Sequence, residues 1–76
     1  MSYKIKFSFA VYHARKRKHL TQEQAAELLG ISKRWYQVIE KGDSLPGSNL
    51  LLKIITMLEI NYQELMENVP EENTAN

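Results

Sequence analysis

No cysteine occurs in the 76 residues. That excludes disulfide staples, thiolate zinc sites and cysteine nucleophiles. Long apolar runs are also missing: the longest are a few residues, far short of the roughly 20 needed to span a bilayer. The opening stretch Met1-Ser2-Tyr3-Lys4-Ile5-Lys6 has no apolar signal core behind it. These absences point to a soluble protein of a reducing cytoplasm, without membrane contact. Histidine is scarce, and His13 and His19 lie six apart, out of phase for one helix face. With no matched third ligand, no metal site is expected. No carboxylate pair, nucleophile–base set or phosphate-binding glycine loop stands out, so neither an enzyme nor a cofactor is expected. The length is that of a single domain. A domain this small buries only about 60% of its unfolded-chain surface, so the core must be well used.

The net charge of +1 hides a gradient. Lys4, Lys6, Arg15, Lys16, Arg17 and Lys18 crowd into the first 19 residues with no acid among them. From residue 43 onward, Lys53 stands against Asp43, Glu59, Glu64, Glu67, Glu71 and Glu72. A basic first half points to a polyanion partner. A solvated basic helix end accounts for the charge equally well.

Every segment with order-forming pattern reads as helix. Phe7, Val11 and Ala14, with Ala10 beside them, make an apolar stripe at helical spacing. The stripe fades at the basic run Arg15 to His19, where cations favour a helix C-terminus. Thr21-Gln22-Glu23-Gln24 is a capping-box pattern. It opens a short second helix that stops near Gly30, a residue free to take the left-handed conformation. Ser32 caps a third helix running to Gly42. Pro46-Gly47 marks a loop. Leu51, Ile54, Ile55 and Leu58 give a strongly apolar fourth helix, and Asn61-Tyr62-Gln63-Glu64 opens a short fifth. From Pro70 the sequence offers nothing to bury, so residues 69–76 are expected to be a disordered acidic tail after a domain of residues 1–68.

Two short helices joined by a tight turn have demands that can be tested by position. A helix-turn-helix needs a small residue where the helices cross and a turn residue tolerant of positive φ. It also needs apolar residues from both helices facing the core. Ala26, Gly30 and Ile39 meet those needs, with Ala25, Leu29 and Ile31 as inward neighbours. The run Leu20-Thr21-Gln22-Glu23-Gln24-Ala25-Ala26-Glu27-Leu28-Leu29-Gly30-Ile31-Ser32 resembles the opening of the phage Cro and repressor (xenobiotic-response-element) helix-turn-helix family. Ile39-Glu40-Lys41-Gly42 is similar to the end of that family's recognition helix. Pro46, Leu51 to Ile54, Leu58, Ile60 and Glu64-Leu65 follow its fourth and fifth helices in register. The resemblance covers about residues 5–66. It implies an all-α, compact five-helix, lambda-repressor-like DNA-binding domain acting in transcriptional regulation, most simply as a repressor.

The resemblance also implies roles. Lys33, Arg34 and Val38 match positions that face base edges, and Gln37 lies close to that face. Arg is suited to a bidentate contact with guanine, and Val to a thymine methyl. Thr21 and Gln22, at the start of the second helix, match positions against the DNA backbone, where free amides and the helix dipole favour phosphate. Lys41 matches a phosphate neutraliser. Arg15 and Glu40 match an ion pair that orients the recognition helix; a phosphate contact is the competing use for Arg15. Trp35 stands where small residues are usual: it packs either on the sugar-phosphate backbone or back into the core. Tyr36 stands where an aliphatic residue is usual, and if buried its hydroxyl needs a partner. Ser48 and Leu50 exchange the expected apolar and polar positions, which points to a shifted entry to the fourth helix.

The partner implied is duplex DNA carrying a pseudo-palindromic operator, bound by two copies, with Tyr62 to Met66 as the candidate homodimer surface and Leu65 alternatively core. No small-molecule ligand is expected. A second reading is a protein-interaction module using the same helices without reading DNA, through Leu28, Trp35, Val38 and Leu45.

Overall fold

The computed structural model describes residues 2–66. Residues 67–76, including the expected acidic tail, lie outside the described residues, as do the side chains of Tyr62 and Met66. Five helices follow in order: α1 (Tyr3–Arg17), α2 (Gln22–Leu29), α3 (Lys33–Lys41), α4 (Ser48–Met57) and α5 (Tyr62–Met66).

Local chemistry sets each boundary. Ser2, Thr21 and Ser32 each accept an amide of the first turn with the hydroxyl. At α2 the box is reciprocal: Thr21 Oγ1 accepts the Gln24 amide at 3.0 Å, and Gln24 Oε1 accepts the Thr21 amide at 2.9 Å. Before α5, Glu64 Oε2 accepts the Asn61 amide at 3.1 Å, while Asn61 Oδ1 accepts the Gln63 amide at 2.8 Å. Helix α4 lacks a side-chain cap, because Gly47 occupies that position. It begins at Ser48, which is exposed, while Leu50 packs half-buried against the core. The exchange of polar and apolar character at those two positions follows the faces they occupy.

Four helices end the same way, with the chain turning through a left-handed residue whose successor closes back on the last turn. Gly30 (φ +72°) and Gly42 (φ +86°) end α2 and α3. His19 (φ +57°) and Glu59 (φ +54°) do the same after α1 and α4 without being glycine. The Leu20 amide reaches Arg15 O at 3.2 Å and the Ile60 amide reaches Ile55 O at 2.9 Å. At Gly42 the requirement is also steric. A Cβ there would stand 2.8 Å from Ile5 Cδ1 and 3.1 Å from Ser8 Oγ, so α1 lies directly against the end of α3.

The core draws on every helix. Phe7, Ala10, Val11 and Ala14 of α1 meet Ala25, Ala26 and Leu29 of α2, Tyr36 and Ile39 of α3, Ile54 of α4, and Leu58 and Ile60 just beyond it. Small residues at 10, 14, 25 and 26 let the first three helices approach closely. Leu51, Ile55 and Leu65 complete the packing from the rim. No described helix is long and apolar enough to cross a membrane.

Candidate nucleic-acid interface

The interface begins with how α3 is held. Its residues advance by about 100° each. Tyr36, Ile39 and Glu40 therefore fall on one side, and Lys33, Arg34, Gln37 and Lys41 on the other. Tyr36 and Ile39 are fully buried, whereas Lys33, Arg34, Gln37 and Lys41 are exposed. Val38 is half-buried at the edge of the outward face. Trp35 is half-buried as well, with its ring against the core cluster and its amide donating to Ser32 Oγ at 3.0 Å. The four exposed residues are polar: among the described residues Lys33 and Arg34 form no ion pair, Lys41 Nζ is 3.7 Å from Asp43 Oδ2, and Gln37 meets Gln22 of α2. Arg34, Gln37, Val38, Lys41 and Asp43 border a shallow depression along this face.

The inward side of α3 is tied down by a carboxylate. Arg15 donates to Glu40 through Nε (2.8 Å to Oε2) and Nη2 (3.0 Å to Oε1), a two-point fork. Its remaining Nη1 donates to Leu20 O at 2.9 Å, at the junction of α1 and α2. Both side chains are nearly closed to solvent, at 10% and 7% exposed. The Tyr36 hydroxyl donates to Glu40 Oε2, and Gln22 Nε2 donates to Glu40 Oε1 at 2.9 Å. Burial pushes the Glu40 carboxyl up, but the hydrogen bonds from Arg15, Tyr36 and Gln22 outweigh it and hold the group below its ordinary value. Burial, with the Glu40 charge adding to it, pushes the Tyr36 hydroxyl up, so it stays a donor. Here the buried ring finds the partner that its hydroxyl requires.

Gln22 is therefore occupied. Besides donating to Glu40, it accepts Gln37 Nε2 on Oε1 at 3.1 Å. What α2 leaves open toward solvent is its N-terminal turn, where Thr21 and Glu23 are exposed. The side chains of residues 15, 22, 36, 37 and 40 thus form one connected set across three helices. The spacing of Tyr36 and Glu40, one helical turn apart, was a readable signal for part of it. The link between Gln22 and Gln37 joins different helices, and no periodicity announces it.

The early basic residues behave differently from what their sequence clustering implies. Arg15 is in the buried pair. Arg17 forks onto Glu64 at 3.1 and 3.0 Å, and Lys18 Nζ reaches Glu59 Oε2 at 2.8 Å. Lys6 is buried with its Nζ lacking a hydrogen-bond partner among the described residues, 5.6 Å from the Tyr3 ring centroid. Four of the six early cations are thus spent inside the molecule or on its own acids, and the charge gradient is in large part internal complementarity. Among the described residues, no group of three or more His, Asp or Glu side chains is placed to hold a metal ion.

Comparison with known families decides the class. A family model described as helix-turn-helix matches residues 11–65, which spans α2, the turn, α3 and the helices that brace them. The chain belongs to the helix-turn-helix family of Cro and repressor type. No curated protein and no solved structure matches it. Family members of this type bind duplex DNA, and transcription regulation is their usual role.

Proposed function

We propose that this helix-turn-helix chain is a sequence-specific regulator, acting as a repressor, that lays α3 in the major groove of an operator. The observation that carries this reading is the division of α3. One face is held by the buried Arg15–Glu40 pair, and the other presents Lys33, Arg34, Gln37 and Lys41 to solvent. Lys33, Arg34 and Gln37 are the groups for base edges, with Val38 at the margin for a thymine methyl. Phosphate falls to the open turn at Thr21 and Gln22, through the Thr21 hydroxyl, the Gln22 amide and the helix dipole, and to Lys41. Trp35 is half-buried against the core, and the part of its ring left exposed supports the DNA backbone by packing.

One recognition helix reads only a few base pairs, so two copies on half-sites about 34 Å apart are expected. Leu65 packs against the core rather than standing free. Leu65 is therefore counted with the core and not with the candidate dimer surface over the Tyr62 to Met66 region.

Selection of bound duplexes from a random pool, followed by a salt titration, tests the reading. With most early cations committed internally, about four phosphates per chain are expected. Affinity should then fall about 100-fold per bound chain between 50 and 200 mM salt, and about 10,000-fold for the two-copy complex. Absence of any duplex binding at low salt, or salt-independent binding, would refute it. On the selected operator, one chain per non-repeated site would refute the two-copy arrangement.

A further inference from the structure

Lys6 is the cation that neither the interface nor the ion pairs use. It is 4% exposed, and its Nζ has no hydrogen-bond partner among the described residues. An ammonium carries three donors, and taking it out of water is costly unless an anion meets it. A lysine beside apolar surface ordinarily runs its methylenes along that surface and keeps its head in water. Here the head is covered, and the compensation present is the Tyr3 ring, whose centroid lies 5.6 Å from Nζ. The fold returns an acid to Arg15, Arg17, Lys18 and Lys41, through Glu40, Glu64, Glu59 and Asp43. None of those acids pairs with Lys6.

The Lys6 side chain lines a cavity of about 290 Å³ between α1, the loop before α4, α4 and α5. Phe7, Leu45, Leu51, Ile55 and Leu65 supply apolar walls, and Tyr3 and Leu45 are exposed at its edge. Among the described residues, Lys6 is the only charged group in the lining. We propose that this cavity binds a small amphipathic carboxylate, an aliphatic acid of medium chain length, with its headgroup on Lys6 Nζ and its chain along the walls. Charge complementarity selects the class: an anion that only accepts meets three donors left unsatisfied, and the remaining walls suit hydrocarbon. Volume selects the length. At about 30 Å³ for each water-sized group, the space holds roughly ten such groups, which is the heavy-atom count of octanoate. The exposed Tyr3 ring yields its place against Nζ to the carboxylate. Because Leu65 is the α5 part of the wall, the ligand fastens α5 to α1 and α4. No wall residue belongs to the face assigned to DNA, so the site is independent of that reading. Its walls come from residues 3 to 65, which is why no local spacing announced a small-molecule ligand.

The experiment titrates the full chain with octanoate, and with octanol as the uncharged probe of the same chain length. Thermal midpoints and methyl shifts in nuclear magnetic resonance spectra are followed together. One octanoate per chain is expected, with the Leu45, Leu51, Ile55 and Leu65 methyls shifting in step and the midpoint rising with ligand concentration. Octanol should bind about tenfold more weakly or worse, because it lacks the charged acceptor. Lys6→Met keeps an unbranched side chain and removes the charge. Its midpoint should be no lower than that of wild type, since an unpaired buried cation is gone. It should lose about tenfold or more in octanoate affinity and bind octanol as wild type does. Equal affinity of wild type for octanoate and octanol would overturn the proposal without any variant. So would octanoate binding undiminished in Lys6→Met, shifts confined to other methyls, or no binding. If wild type binds no octanoate but a chain carrying Glu67→Gln, Glu71→Gln and Glu72→Gln does, the occupant is the chain's own acidic segment and the proposal is wrong. Wall-methyl shifts that grow with protein concentration without octanoate would assign the cavity to a second copy instead. Each of these failures leaves the DNA-binding reading standing.

Discussion

The chain has two basic clusters, and the structure uses them in opposite ways. The first, at Arg15 to Lys18, is the denser, yet Arg15, Arg17 and Lys18 each meet an acid from a distant part of the chain. The second, at Lys33 and Arg34, is sparser, and among the described residues neither side chain forms an ion pair; both face solvent. The difference teaches that local charge density is a poor guide to a polyanion surface in a protein of nearly balanced charge. What matters is whether the fold returns an acid to each base. The acidic second half supplies Glu59 and Glu64 to the end of α1, so the cluster that looked most like a phosphate-binding site stitches α1 to the turn after α4 and to α5.

Within the first cluster, burial separates one pair from the others, and the largest expected effect tests that. Glu40→Ala removes the acceptor of Arg15, Tyr36 and Gln22 together. It should destabilise the fold by about 3–5 kcal/mol, because a nearly buried guanidinium is left without its partner. Denaturant midpoints measure it. The same carboxylate sets an acid response. Its folded value lies below the ordinary 4.5, so its contribution is fully present above that value. The contribution is lost as pH falls below 4.5 and through the folded value. A stability profile from pH 7 to 2 should show this loss in wild type and a shallower one in Glu40→Gln. Identical slopes would mean that the exposed carboxylates govern acid unfolding.

The second cluster is tested by binding. Arg34→Ala should cost about 1–3 kcal/mol on the preferred duplex, relax preference at one base pair and leave the thermal midpoint unchanged. The matching change in the first cluster, Arg17→Ala, should leave the salt slope of DNA binding as it is. A slope that drops by about one unit for Arg17→Ala would make Arg17 a phosphate contact and collapse the contrast between the clusters.

Smaller effects sharpen the account of the buried pair. Tyr36→Phe keeps the ring in the core and deletes only the bond to Glu40. A loss of about 1–2 kcal/mol is expected for a hydrogen bond to a charged acceptor. No loss would mean that water replaces the hydroxyl. A smaller expected change is a gain: His19→Gly relieves a left-handed residue that carries a Cβ. It should raise stability by about 0.5–1 kcal/mol in the same melts. Arg17→Ala should fall below about 0.5 kcal/mol, since its side chain is 49% exposed.

Much of the architecture was legible without coordinates, for identifiable reasons. The stripe at Phe7, Ala10, Val11 and Ala14 is buried as its spacing predicts, because a helical period leaves one face for the core. Thr21, Ser32, Gly30 and Gly42 mark boundaries by local hydrogen bonding and backbone freedom, which depend on few neighbours. The other two helix exits, at His19 and Glu59, were not legible. A left-handed residue with a side chain is tolerated there only because the surrounding turn holds it. For the interface, the sequence named the outward residues of α3 through the family resemblance; Lys33, Arg34 and Gln37 are exposed and Val38 is half-buried. It did not show that Gln22 is engaged on both ends, or that Tyr36 shares the Glu40 carboxylate.

What the sequence by itself determined is therefore whatever depends on near neighbours along the chain: the helices, their caps, the tight turn before α3 and the polar side of that helix. What only the tertiary structure decided is how other charges and amides separated by 15 to 47 residues are matched: Gln22 with Gln37, Lys18 with Glu59 and Arg17 with Glu64. The physical reason is that a charge has no period. Its effect depends on which opposite charge or dipole the fold brings within about 4 Å and how much water remains between them, and neither is written in local spacing.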